Sequence, residues 1–107
     1  MDGQLVADHA WYELGELRRL QGQPGVEEAF EQATAFGNLA QPGLALYRLS
    51  QGNAHAAGAG LRWVLAEREL AGDRLLLLPA AVEICLATGR IDEAKDGLVE
   101  TRALDLR

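Results

Sequence analysis

The chain has 107 residues, a formal net charge of −6 and a single cysteine, which excludes a disulfide bond within the chain. Its ten basic residues are scattered, so we expect no direct nucleic-acid binding by this segment and no attraction to an anionic membrane. The N-terminus shows no secretory signal, and no apolar run is long enough to span a bilayer. A cytoplasmic location is therefore predicted.

Leucine and alanine are the commonest residues, and this composition favours helix over strand. Apolar spacing and stop signals predict six helices, at about 5–20, 26–36, 42–51, 54–70, 74–88 and 91–103. Turns are predicted at Gly22, Gly37-Asn38, Gly52, Gly72-Asp73 and Gly89. Six helices with short connections make an all-α fold of about three antiparallel helical hairpins, with residues 1–107 as one domain.

The first predicted helix has a glycine in its middle. Gly15 costs about 1 kcal/mol relative to alanine at such a position, so we expect it to lie against a neighbouring helix. The apolar residues of this helix follow helical spacing and predict a buried stripe of Ala7, Ala10, Trp11, Leu14, Leu17 and Leu20.

One unit recurs three times along the chain: a helix, a glycine, and a second helix that carries an alanine. The glycines are Gly22, Gly52 and Gly89, and the alanines that follow them are Ala29, Ala57 and Ala94. The last two copies keep the same spacing, whereas the first is two residues longer at Pro24-Gly25. Repeats of this length are typical of helical-hairpin arrays, which usually make binding surfaces.

The segment Trp11-Tyr12-Glu13-Leu14-Gly15, followed seven residues later by Gly22, resembles the first helix of a tetratricopeptide repeat. The segment Gly89-Arg90-Ile91-Asp92-Glu93-Ala94 is similar to the junction with the second helix in that family. The middle copy departs from the pattern, because Leu44-Ala45 replaces Leu-Gly and no aromatic residue precedes it. The resemblance implies a tetratricopeptide-like array over nearly the whole chain.

A narrower resemblance involves residues 10–20, 41–52 and 78–84, which look like the helical-repeat region of large LuxR-type transcription regulators. In that family such repeats precede a C-terminal helix-turn-helix domain, which the present sequence lacks. The resemblance implies a fragment of a larger chain and a regulatory, protein-interaction role for it. A free-standing tetratricopeptide-like adaptor with no role in transcription is the alternative.

By the same resemblance, the first helices of successive hairpins line a concave surface. This surface would carry Tyr12, Glu16, Arg19, Leu46 and Glu83. A groove with aromatic, acidic and basic groups suits a protein or peptide segment, although ordinary solvated side chains are an equal alternative.

No convergent set of catalytic residues is visible, and the sequence predicts neither an enzyme nor a cofactor. His9 and Glu13 could supply two metal ligands, but a tight site needs three or four, so no metal site is predicted. Cys85 lies in an apolar run, which predicts a buried thiol.

The last helix ends in apolar residues that have no obvious cover. We expect self-association, as a symmetric homodimer, through Leu98, Leu104 and Leu106. The alternative is that this helix folds back and buries these residues within the monomer.

Overall fold

A computed structural model describes residues 2–35 and 40–106, with side chains from residue 9 onward. In these ranges the chain forms α1 (Asp2–Gln21), α2 (Val26–Ala35), α3 (Gly43–Ser50), α4 (Ala54–Glu67), α5 (Ala71–Ala87) and α6 (Ile91–Asp105). None of the described residues forms a strand, so the all-α prediction is confirmed. None of the described helices combines the length and apolar character needed to cross a membrane.

Consecutive helices pack in pairs, with α1 on α2, α3 on α4 and α5 on α6. Helix α3 also contacts both α1 and α2, and α5 contacts both α3 and α4. The first helix of each later pair therefore lies against both helices of the pair before it.

Each pair turns at a glycine that has a positive φ angle: 66° at Gly22, 81° at Gly52 and 76° at Gly89. In all three turns the glycine N–H bonds a carbonyl three residues earlier, and the next N–H bonds a carbonyl five residues earlier. This is the Schellman arrangement, which uses carbonyls left over at a helix end. The turns predicted at these three glycines are confirmed.

The three repeated alanines occupy equivalent places. Ala29, Ala57 and Ala94 are all buried. Each donates its backbone N–H to the carbonyl four residues earlier, which belongs to the residue just before the helix. The three copies of the unit can therefore be compared position by position.

The residues that the structure describes form two apolar core clusters. One joins Val26 and Phe30 of α2 to Ala40, with Tyr12, Leu44 and Tyr47 packed against it. The other joins α3, α4 and α5 through Ala45, Ala57, Leu61, Val64, Leu77, Ala80 and Ile84.

Gly15 lies against α2, as expected. A Cβ atom at this position would come within 2.5 Å of Cδ1 of Phe30, so only glycine allows the ring to sit there. The apolar stripe predicted for α1 is wrong in part, because Ala10, Leu17 and Leu20 are exposed, whereas Trp11 and Leu14 are half-buried. The helix instead turns its glycine face inward, which brings Tyr12 toward the core; the side chain of Ala7 lies outside the described residues.

The turn predicted at Gly72-Asp73 is wrong, because both residues lie in the first turn of α5. The chain breaks earlier, after α4 ends at Glu67. The guanidinium of Arg74 donates hydrogen bonds to the carbonyls of Leu65 and Arg68, and so stabilises this earlier helix end. The predicted turn at Gly37-Asn38 lies outside the described residues.

Candidate functional site

The five residues predicted for a binding surface fall in two separate places. Tyr12, Glu16 and Arg19 form a hydrogen-bonded group on α1. Leu46 and Glu83 line an open groove between α3 and α5.

The group on α1 connects that helix to the start of α3. The Gly43 N–H donates to the Tyr12 hydroxyl at 3.0 Å, and that hydroxyl donates to Oε1 of Glu16 at 3.4 Å. Nε of Arg19 donates to Oε2 of Glu16 at 2.6 Å. The Tyr12 ring also contacts the Phe30 ring, with centroids 5.6 Å apart. These side chains direct polar atoms toward one another, and their predicted binding role stays a prediction.

Burial raises the pKa of Tyr12 to about 12, and the carboxylate of Glu16 adds to the increase. The hydrogen bond from Gly43 acts in the opposite direction, as does the charge of Arg19. The hydroxyl therefore stays protonated at neutral pH. It can accept from Gly43 and donate to Glu16 at the same time.

The groove between α3 and α5 has a volume of about 470 Å³. Its α5 wall is made by residues at three- and four-residue spacing, so they share one face of the helix. These residues include Leu76, Pro79, Glu83 and Leu86. Leu76 is 64% exposed and Leu86 is 54% exposed. Pro42 and Leu46 form the opposite wall.

Glu83 is the acidic residue of this groove, and its side chain is exposed. It forms no ion pair with any residue in the described ranges. The groove thus offers apolar surface around a carboxylate that is available for a cation.

A second cavity, of about 250 Å³, lies between α4 and α5 and is lined by Arg62, Cys85 and Arg90. Glu93 of α6 lies 4.0 Å from Nη1 of Arg62 and 3.6 Å from Nη1 of Arg90. These ion pairs are exposed, so each contributes little to stability. Three helices and a turn supply the members of this cluster, so no spacing within one helix reveals it in the sequence.

Cys85 is only partly buried, so the prediction of a buried thiol is wrong. Its thiol donates a weak hydrogen bond to Oε2 of Glu93 at 3.7 Å. Partial burial and the carboxylate of Glu93 raise the pKa of this thiol. A raised pKa lowers the thiolate fraction, which is the opposite of what nucleophilic catalysis requires.

His9 and Glu13 approach to 3.9 Å on the exposed side of α1. Within the described part of the chain, no group of three or more His, Cys, Asp or Glu residues is placed to hold a metal ion.

The three residues predicted for self-association are placed differently from one another. Leu98 is exposed on α6, and Leu106 is exposed directly after the end of that helix; their role in self-association stays a prediction. Leu104 is only 9% exposed, so its assignment to an exposed contact is wrong. It lies toward the side of α6 that packs on α5, where a Cβ atom on Gly97 would come within 2.9 Å of Cγ2 of Val82.

Comparison of this chain with protein-family models, with curated proteins and with solved structures gave no match.

Proposed function

We propose that this chain is a non-catalytic interaction module that binds a protein or peptide segment in the groove between α3 and α5. The observation that carries the proposal is the pair of exposed leucines, Leu76 and Leu86, on the same groove wall as Glu83. An exposed apolar surface that surrounds a few polar groups is typical of binding sites.

The architecture that we propose is tetratricopeptide-like. Its support is the set of three equivalent turns and three equivalent buried alanines, together with the packing of each pair on the pair before it. In such an array the groove between α3 and α5 would belong to the surface lined by first helices. Ala45 stands where the family pattern has glycine. It is fully buried, which is expected for a small residue between closely packed helices.

The groove indicates the chemistry of its ligand. Apolar side chains of a bound segment would cover Leu46, Leu76 and Leu86. A lysine or arginine in the segment would pair with Glu83, because that carboxylate forms no ion pair among the described residues. A bound ion pair within an apolar groove gives specificity in addition to the affinity from burial.

The module would belong to a LuxR-type transcription regulator, where occupancy of the groove would be relayed to a helix-turn-helix domain. This part of the proposal is based on the sequence resemblance of residues 10–20, 41–52 and 78–84. The coding sequence that follows the codon for Arg107 tests it. A helix-turn-helix domain would support the regulator, and an immediate stop codon would favour the adaptor.

Selection of peptides from a random display library on the immobilised chain tests the binding function. The selected peptides should combine apolar residues with lysine or arginine. Leu76→Glu should weaken their binding by about tenfold or more, which corresponds to about 1.4 kcal/mol. Leu70→Glu is the matched control, because Leu70 is similarly exposed but does not line the groove. Equal loss in both variants, or no selected peptide, would contradict the proposal.

A further inference from the structure

Helix α6 exposes a face that α2 and α4 keep covered. Four residues after the repeated alanine, Ala33 in α2 is 0% exposed and Leu61 in α4 is 1% exposed. The equivalent residue in α6, Leu98, is 55% exposed. Ile91 is likewise exposed at the position where α2 has the buried residue Val26.

The cover on α2 and α4 comes from the first helix of the next pair. Leu61 of α4 packs in one cluster with Leu77 and Ile84 of α5. Phe30 of α2 packs with Leu44 and Tyr47 of α3. The exposed face of α6 is therefore the face that a helix equivalent to α3 or α5 would cover.

Helix α1 exposes the matching face. Five residues before the turn glycine, α3 has Tyr47 and α5 has Ile84, and both pack on the preceding pair. The equivalent residue in α1, Leu17, is 49% exposed. Ala10 of α1 is also exposed, whereas Leu77 at the equivalent position in α5 is buried.

One pair of charged residues on these two faces is complementary. The residue after the repeated alanine is Phe30 in α2, and a Cβ atom on Gly43 of α3 would come within 2.9 Å of Phe30 Cζ. The equivalents of these two contacting residues are Lys95 in α6 and Glu13 in α1. Lys95 is the only lysine of the chain, and it forms no ion pair with residues that the structure describes.

The contact of α4 with α5 indicates where the aliphatic part of the Lys95 side chain would lie. Gly58 of α4 lies beside Ile84 of α5, with 3.4 Å between the position of a Cβ on the glycine and Cγ2 of Ile84. The equivalents of these two residues are Lys95 and Leu17. The aliphatic stem of Lys95 would therefore cover Leu17 of a second copy while its ammonium reaches Glu13, one helical turn away.

We propose that the chain self-associates head to tail, with α1 of one copy packed on α6 of the next. The contact repeats the packing of α3 on α2 and of α5 on α4. It replaces the symmetric dimer that the sequence predicts, because the two faces are different and complementary. A contact between different faces leaves one of each free, so association continues beyond a dimer, into longer chains or a closed ring. The inference does not depend on peptide binding in the groove between α3 and α5.

Sedimentation velocity over a range of concentrations tests this proposal. The average mass of the unaltered chain should rise beyond that of a dimer as concentration increases. Leu17→Glu and Leu98→Glu should each be monomeric, because each destroys one of the two faces. Both residues are exposed, so the variants should retain their helical circular dichroism. Leu70→Glu, which alters an exposed leucine on neither face, should behave like the unaltered chain.

Mixing the two monomeric variants separates the head-to-tail contact from a symmetric one. The intact α6 face of Leu17→Glu should bind the intact α1 face of Leu98→Glu, which gives a one-to-one dimer that cannot grow. Lys95→Glu should weaken association, and adding Glu13→Lys in the same chain should restore it. A chain that stays monomeric at high micromolar concentration would overturn the proposal. So would a Leu17→Glu variant that still dimerises by itself.

Discussion

The backbone N–H of Gly43 donates a 3.0 Å hydrogen bond to the hydroxyl of Tyr12, a residue 31 positions earlier in the chain. A Cβ atom on Gly43 would come within 2.9 Å of Cζ of the buried Phe30 ring, so glycine at this position favours the close approach. This contact fixes the start of α3 against α1, and α3 provides one wall of the groove between α3 and α5.

Tyr12→Phe should lower the free energy of unfolding by about 0.5–1.5 kcal/mol. The change keeps the ring contact with Phe30 but leaves the N–H of Gly43 without its acceptor. Denaturation with urea at neutral pH measures the effect. An unchanged midpoint would show that the hydrogen bond contributes nothing to stability.

Alkaline pH should destabilise the chain in part through Tyr12. The folded state raises the pKa of this hydroxyl from its ordinary value of 10 to about 12, so the folded chain holds the proton more tightly than the unfolded chain. The resulting stability is fully present below about pH 10 and is lost as the pH rises toward about 12. Tyr12→Phe should therefore lose less stability over this range, as followed by urea denaturation at several pH values. Parallel losses in both proteins would contradict the assignment.

Gly15→Ala should destabilise the fold by about 1–3 kcal/mol, because the added methyl group would overlap the Phe30 ring. Gly72→Ala is the matched control. Gly72 lies in α5 with open space at the Cβ position, so alanine there should stabilise the fold by about 0.5–1 kcal/mol. Thermal melting compares the two. In a double-mutant cycle, Phe30→Leu should cost less in the Gly15→Ala background than alone, and additive effects would exclude the overlap.

Arg74→Gln should lower the free energy of unfolding by about 1–2 kcal/mol, mainly through the hydrogen bonds from the guanidinium to Leu65 and Arg68. The ion pair of Arg74 with Glu100 is partly exposed and adds less. Arg62→Gln is the control, because its ion pair with Glu93 is long and exposed and should contribute almost nothing. Urea denaturation distinguishes them; equal effects would contradict the special role of Arg74.

The same arginine should affect the acid side of the stability profile. Its hydrogen bond lowers the pKa of Glu100, so the folded chain releases that proton more readily than the unfolded chain. The stability from this pair is present above the ordinary glutamate pKa and is lost as the pH falls below it. Arg74→Gln should therefore show a flatter decline in acid, when urea midpoints are compared across that range.

The sequence predicted the three turns at Gly22, Gly52 and Gly89 because a Schellman end depends on local chemistry. It failed at Gly72-Asp73, where the helix boundary depends on hydrogen bonds that the side chain of Arg74 makes to α4. The all-α class followed from composition and apolar periodicity, which are averages over many residues.

Two of the side chains predicted for exposed sites, those of Tyr12 and Leu104, pack toward the core. Tyr12 was grouped with Glu16 and Arg19 as a polar face, yet its ring packs on Phe30 at the core. Leu104 and Leu98 look alike in sequence, but only the packing of α6 on α5 shows that Leu104 is buried. Leu46 and Glu83 do line one groove. Its exposed leucines could not be predicted from the sequence, because the groove exists only where α3 packs beside α5.

The most direct test of peptide binding is a titration of the ¹⁵N-labelled chain with the best selected peptide, followed by amide chemical shifts. We predict that the largest changes cluster at Leu46, Leu76, Glu83 and Leu86. Glu83→Lys should weaken the binding of a lysine-containing peptide and strengthen the binding of the same peptide with glutamate in place of lysine. Largest changes at the cavity between α4 and α5, or changes spread evenly over all six helices, would contradict the claim that the groove between α3 and α5 is the binding site.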